Sequence, residues 1–178
     1  MNELILVSPT MEYGDEILAY RQEFLACGSS MDGCGALRRC DSAEAFVEES
    51  ENALHPETLR PGRVLATQLI CVRISDRKVV GMLQIRHYFN DYLEKYGGHI
   101  GYSVRPSERR NGYAKAQLKL ALPICRKLGL TKVLITCDYD NIGSEKTILA
   151  NGGVYESTVY CEPENINLKR YWIDLQEV

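Results

Sequence analysis

The stretch Gly98-His99-Ile100-Gly101-Tyr102-Ser103-Val104-Arg105-Pro106-Ser107-Glu108-Arg109-Arg110-Asn111-Gly112-Tyr113-Ala114 reads as a strand, a polar turn and the start of a helix. The helix is marked by Leu118, Ala121, Leu122, Cys125 and Leu128 on one face and by Gly129 at its end. Small residues at Gly112 and Ala114 let the main chain approach a ligand. The first N–H groups of a helix lack partners inside it, so the turn forms an anion cradle that suits a pyrophosphate. Charge agrees: from Arg105 to Lys132 there are eight Lys or Arg residues against one acid, Glu108, in a chain of net charge -3. A glycine turn before a solvated helix face would match R-x-x-G-x-A equally well, so the surrounding elements must decide. Neither a P-loop nor a dinucleotide fingerprint fits: Gly112 is followed by Tyr113 and Ala114 rather than Lys and Ser or Thr, and the three spaced glycines are missing.

Working outward, Lys132 to Cys137 is a Val/Ile/Thr-rich strand, and Asn141 and Ser144 open a shorter helix closed by Asn151, Gly152 and Gly153. Val154 to Cys161 and Leu168 to Leu175 then form an antiparallel pair. Upstream, Arg63 to Ile74 and Lys78 to Tyr88 make a hairpin across Ser75, Asp76 and Arg77. Nearer the amino terminus come a strand at Glu3 to Val7, a helix over Met11 to Leu25 and a Gly/Ser/Cys connector from Ala26 to Arg39. Asp41 and Glu44 stand at capping-box spacing for a helix through Glu49. Pro123 inside the long helical pattern predicts a bend in its second half. The order is α/β (α+β), and residues 1–178 are expected to form a single domain.

Composition narrows the function. No run of eighteen apolar residues occurs and Met1 to Pro9 lacks a secretory pattern, which predicts a cytoplasmic protein with no membrane partner. Net acidity argues against nucleic acid as the main partner. Seven cysteines without a C-x-x-C pair read as reduced thiols, and three histidines at no zinc spacing predict no metal.

With these residues in view, the pattern resembles motif A of the GNAT family, the Gcn5-related N-acetyltransferases. That motif is a strand ending V-x-P followed by R/Q-x-x-G-x-G/A, here Val104-Arg105-Pro106 and Arg109 to Ala114. Asn141-Ile142-Gly143-Ser144 resembles the family's N-x-x-A/S element. The resemblance implies a GNAT-like mixed, mostly antiparallel sheet flanked by helices, with central strands splayed to admit acetyl-CoA. It implies that main-chain groups of Tyr102, Ser103 and Val104 hold the pantetheine arm. The N–H groups of Arg110, Asn111, Gly112, Tyr113 and Ala114 would hold the pyrophosphate, and Asn141 and Ser144 would flank the far side. Arg105, Arg109 and Lys115 are available for the remaining phosphate charge.

The implied activity is acetyl transfer to a primary amine of a small molecule or peptide, by direct attack; a noncatalytic CoA-binding sensor on the same fold is the alternative. A homodimer is compatible with the family. A base and an acid are needed. His99 stands where many members carry a base-bearing Glu, and it reads either as that base or as a histidine hydrogen-bonded into the sheet. Asp91 and Glu94 are further candidates. The family's acidic tyrosine position holds Ile148, which leaves Tyr155 or Tyr160 on the next strand. A nucleophilic Cys137 or Cys125 is the competing mechanism. Six acids from Asp41 to Glu57 predict either a field favouring a cationic amine or a solvated helix face.

Overall fold

The computed structural model describes residues 3–176. Its strands form two antiparallel half-sheets. The first has the order β1 (Leu4–Val7), β2 (Ala66–Arg73), β3 (Lys78–Arg86), β4 (Ile100–Val104). The second has β7 (Ile166–Asp174) between β5 (Lys132–Asp138) and β6 (Val154–Cys161). The expected hairpin is β2–β3, paired from Ala66 opposite Arg86 to Arg73 opposite Lys78 with a one-residue register shift between Cys71 and Val72, its turn carrying Arg77 at φ 58°. The expected terminal pair is β6–β7, but β7 also takes the whole length of β5.

Between the half-sheets, β4 and β5 share no ladder among the described residues. They are joined just before β4, where His99 N–H donates to the Leu134 carbonyl (2.7 Å) and Leu134 N–H donates to His99 Nδ1 (2.9 Å). Beyond that hinge they separate, as the resemblance implied.

Among the described residues four α-helices cover the sheets: α1 (Gly14–Cys27), α2 (Ala43–Asn52), α3 (Tyr113–Lys127) and α4 (Ile142–Leu149). On one face, Leu118, Leu122 and Cys125 of α3 pack with Leu83, Ile85 and Ile100 of the first sheet and with Val133, Ile135 and Ile173 of the second. One core therefore spans both halves. On the other face, Ile17, Tyr20 and Phe24 of α1 and Phe46 of α2 cover Ile70, Val72 and Met82. Ser42, not Asp41, caps α2: its Oγ accepts from Ala45 N–H at 3.2 Å, satisfying one of the helix's orphan donors. The helix α3 continues through Pro123, whose ring is exposed.

All seven cysteines are free thiols. Among the described residues no helix is long and apolar enough to cross a membrane, and no group of His, Cys, Asp or Glu could hold a metal ion.

Candidate active site

The separation of β4 and β5 opens a cleft of about 910 Å³. Its β4 wall is defined by register. Arg86 N–H donates to His99 O (2.8 Å) and Arg105 N–H to Val80 O (2.9 Å), so alternation directs the main-chain groups of Gly101 and Ser103 to β3. Those of Tyr102 and Val104 face the cleft on an edge that takes no strand partner, where the Val104 carbonyl accepts from Arg109 Nε (3.4 Å), and an extended ligand can pair along it. The expected trio is thereby corrected: Ser103 lines the cleft, but its main chain is committed to β3 and its carbonyl also accepts from Gln117 Nε2 (3.0 Å). Its hydroxyl lies 3.0 Å from Tyr20 Oη and 3.2 Å from Cys34 Sγ.

The β4 edge runs into the cradle through one tight turn, Pro106–Glu108. Arg110 (φ 69°) and Gly112 (φ 79°) adopt left-handed backbone, and no side chain caps α3. The bond from Ala116 N–H to Gly112 O (3.1 Å) closes the helix's first turn, and the N–H groups of Arg110, Asn111, Gly112 and Ala114 have no acceptor among the described residues. Nothing lies within 4 Å of where a Cβ on Gly112 would stand. Asn111 braces the loop by donating from Nδ2 to Glu108 O (3.1 Å). The side chain of Tyr113 turns inward, where its hydroxyl accepts from Arg73 (2.9 Å). Arg109 lines the cleft with its guanidinium 5.6 Å from the centre of the Phe24 ring. Arg105 is not available for phosphate: it is buried and bonded to Glu16 (2.7 Å) and Glu23 (2.6 Å), fastening the end of β4 to α1.

The two faces of the cleft differ chemically. On the α4 side the Tyr102 hydroxyl lies 2.8 Å from Ser144 Oγ, and Ser144 N–H donates to Asn141 Oδ1 (3.0 Å), so Asn141 caps the helix and lines the cleft at once. Burial pushes the Tyr102 phenol above its ordinary pKa. Burial, reinforced by Glu145, raises the Cys137 thiol to about 11, and burial raises Cys125 to about 12. Both stay protonated at neutral pH, which removes the thiolate that an acyl-enzyme would need.

The cleft is also lined by three carboxylates that the motifs did not mark, Asp32, Asp138 and Glu164, the last accepting from the Tyr92 hydroxyl. Thr136 and Asp138 alternate to the same side of β5, and Thr136 Oγ1 donates to Tyr96 O (2.7 Å) on that side. Burial, then the charges of Asp32, Glu164 and Asp140, raise the Asp138 pKa. Asp32 accepts from Ser30 Oγ (2.7 Å) and precedes Gly33, where a Cβ would fall 2.1 Å from the Gly101 carbonyl oxygen. Only a glycine there lets the connector lie against β4, and this was the signal in the sequence.

His99 is not a cleft residue. It is 6% exposed, its Nδ1 is occupied by Leu134 N–H, and its ring centre lies 4.0 Å from that of Phe89 and 6.2 Å from that of Trp172. Burial, helped by Arg86, lowers its pKa to about 4. The base reading is thus corrected to a hinge residue. Tyr155 is 52% exposed on β6, away from the cleft walls, with its hydroxyl 2.9 Å from Thr158 Oγ1. Tyr160 is similarly exposed, and Ile148 is in the core. Asp91 and Glu94 do not line the cleft. Of the six acids from Asp41 to Glu57 only Glu49 does, paired with Arg60, while Arg39, Arg63 and Arg86 line the same end. The expected acidic field is absent from that wall: Glu44, Glu48 and Glu51 are exposed on α2, and Asp41 and Glu57 lie beyond its ends.

The model of the family described as Acetyltransferase (GNAT) matches residues 36–151. No curated protein matches the chain significantly. Among solved structures, the ribosomal-protein-S5-alanine acetyltransferase of Vibrio fischeri superposes with TM-score 0.72 at 14% identity, covering 99% of this chain and 96% of that one. The microcin C7 self-immunity acetyltransferase MccE, in complex with acetyl-CoA and AMP, gives 0.70 at 17%, covering 98% and 93%. The dodecameric spermidine N-acetyltransferase of Vibrio cholerae gives 0.66 at 12%, covering 98% and 95%. The chain belongs to the GNAT family, the acyltransferases that use acetyl-CoA.

Proposed function

We propose that this protein acetylates a primary amine of a small molecule or peptide. The observation that carries the reading is the unpaired edge of β4 leading directly into uncapped amides at the start of α3. Main-chain groups of Tyr102 and Val104 would pair with the pantetheine arm. The amides of Arg110 to Ala114, with Arg109, would take the diphosphate, and Asn141 and Ser144 would line the far side. These residues fit acetyl-CoA, which when bound supplies the thioester carbon that the amine attacks and the thiol that leaves.

The chain's own task is to align the amine and take its proton. As the N–C bond forms and the C–S bond breaks, the amine proton goes to Asp138, directly or through water. Its raised pKa makes it a stronger base than an ordinary carboxylate, and Asp32 stands on the same face. Ser144 Oγ, held 2.8 Å from the Tyr102 hydroxyl, could hydrogen-bond the sulfur that leaves, and the thiolate, a tolerable leaving group, would take its proton from water.

Calorimetric titration with acetyl-CoA followed by thiol release over an amine panel tests this. Turnover that falls roughly 100-fold or more in Asp138→Asn, at unchanged acetyl-CoA affinity, supports it. Binding without turnover on any amine sinks the catalytic reading, and absent binding sinks the site.

A further inference from the structure

Arg86 projects from β3 into the end of the cleft remote from the cradle. Its Nη1 donates to the carbonyls of Gly97 (3.1 Å) and Gly98 (3.5 Å). Its Nε and Nη2 have no acceptor among the described residues, and it forms no ion pair with any described carboxylate. Neither atom is sealed from solvent: the buried side-chain atom without a partner is Gln117 Oε1. A Cβ on Gly101 would stand 3.0 Å from Gly33 N and 3.2 Å from Nη2, so the missing side chain lets both the connector and this guanidinium come close to β4.

A deeply set guanidinium with its Nε–Nη2 edge open matches the two oxygens of a carboxylate. Protein carbonyls compensate only one prong, and Asp32 acts on the cation through its charge without an ion pair, which leaves the second edge for a ligand. Its field partner Asp32 belongs to the connector lying against Gly101. A cation-seeking and an anion-seeking group thus share one end of the cleft, with Arg39 and Arg63 adding positive charge at its rim.

We propose that the acceptor carries a carboxylate close to its reacting amine, as amino acids and short acidic peptides do, and that Arg86 grips that carboxylate through Nε and Nη2. This rests on the acetyl-transfer reading and assigns Arg86 as the residue that sets specificity.

The test compares thiol release for leucine against leucinamide, for N-terminal aspartyl against asparaginyl dipeptides, and for an aminoalkyl phosphate. The wild-type protein should favour the carboxylate member of one pair by about 10- to 100-fold in kcat/KM. Arg86→Gln should reduce that ratio to about twofold, mainly through KM, with acetyl-CoA affinity and Tm retained; Arg86→Lys should fall between. Equal use of the amides, preference for the phosphate, or an unchanged ratio in Arg86→Gln overturns the assignment. If acetyl-CoA binds but no probe is acetylated, the transfer reading fails separately. Titrating N-acetyl-leucine into the CoA-loaded protein then decides: binding lost in Arg86→Gln upholds the carboxylate site, and no binding overturns it.

Discussion

His99 Nδ1 can accept the Leu134 N–H only while the ring is neutral, because a proton on that nitrogen would face another donor. The folded pKa, about 4, lies below the ordinary 6.5. The stabilisation is therefore complete above pH 6.5 and lost as pH falls toward 4, amounting to ~3 kcal/mol over the interval. Asparagine keeps an acceptor at a similar place and does not titrate, so His99→Asn should flatten this part of the pH–stability profile in denaturant melts between pH 7.5 and 4.5. Its turnover at pH 8 should stay within about fivefold of wild type, against the 100-fold or greater loss expected of a missing base. The sequence showed a histidine at this position but could not separate base from sheet partner. The partner, Leu134, is supplied by a strand 35 residues further on.

At the scale of elements, the cradle and the connector make different demands of glycine. Gly112 needs its left-handed backbone and leaves open space around it. Gly112→Asp should cost about 1 kcal/mol in stability yet abolish measurable acetyl-CoA binding in calorimetry, because a carboxylate would stand at the phosphate position. Gly33 has φ 71° and also faces main chain at a distance no side chain can occupy. In Gly33→Ala the connector should lift from β4, raising the acceptor KM about tenfold or more by displacing Asp32, with acetyl-CoA affinity little changed. The β4–turn–α3 unit was legible because its signal is contiguous, a strand, turn and helix start within seventeen residues. Asp32 and Asp138 were not, because a carboxylate in a glycine-rich connector and one at a strand end look like solvated residues until folding sets them across one cleft.

At the scale of the molecule, the shared core is what holds the half-sheets at their angle. Leu118 is fully buried between them, and Leu118→Ala should cost about 2–5 kcal/mol. A single coincident transition by far-UV circular dichroism and tryptophan fluorescence is expected, since Trp172 reports from the second sheet. Two transitions would show that the halves unfold separately. By itself the sequence determined most of the elements, the hairpin, the strand–turn–helix unit from β4 to α3, and the family. Those rest on periodicity, turn chemistry and a continuous motif, which are local properties of a chain. Only the tertiary structure decided the insertion of β7 between β5 and β6, the His99–Leu134 hinge, the capture of Arg105 by Glu16 and Glu23, and the open guanidinium edge of Arg86. Each depends on which distant groups meet and which are left without a partner, and that is settled by packing rather than by neighbours in the chain.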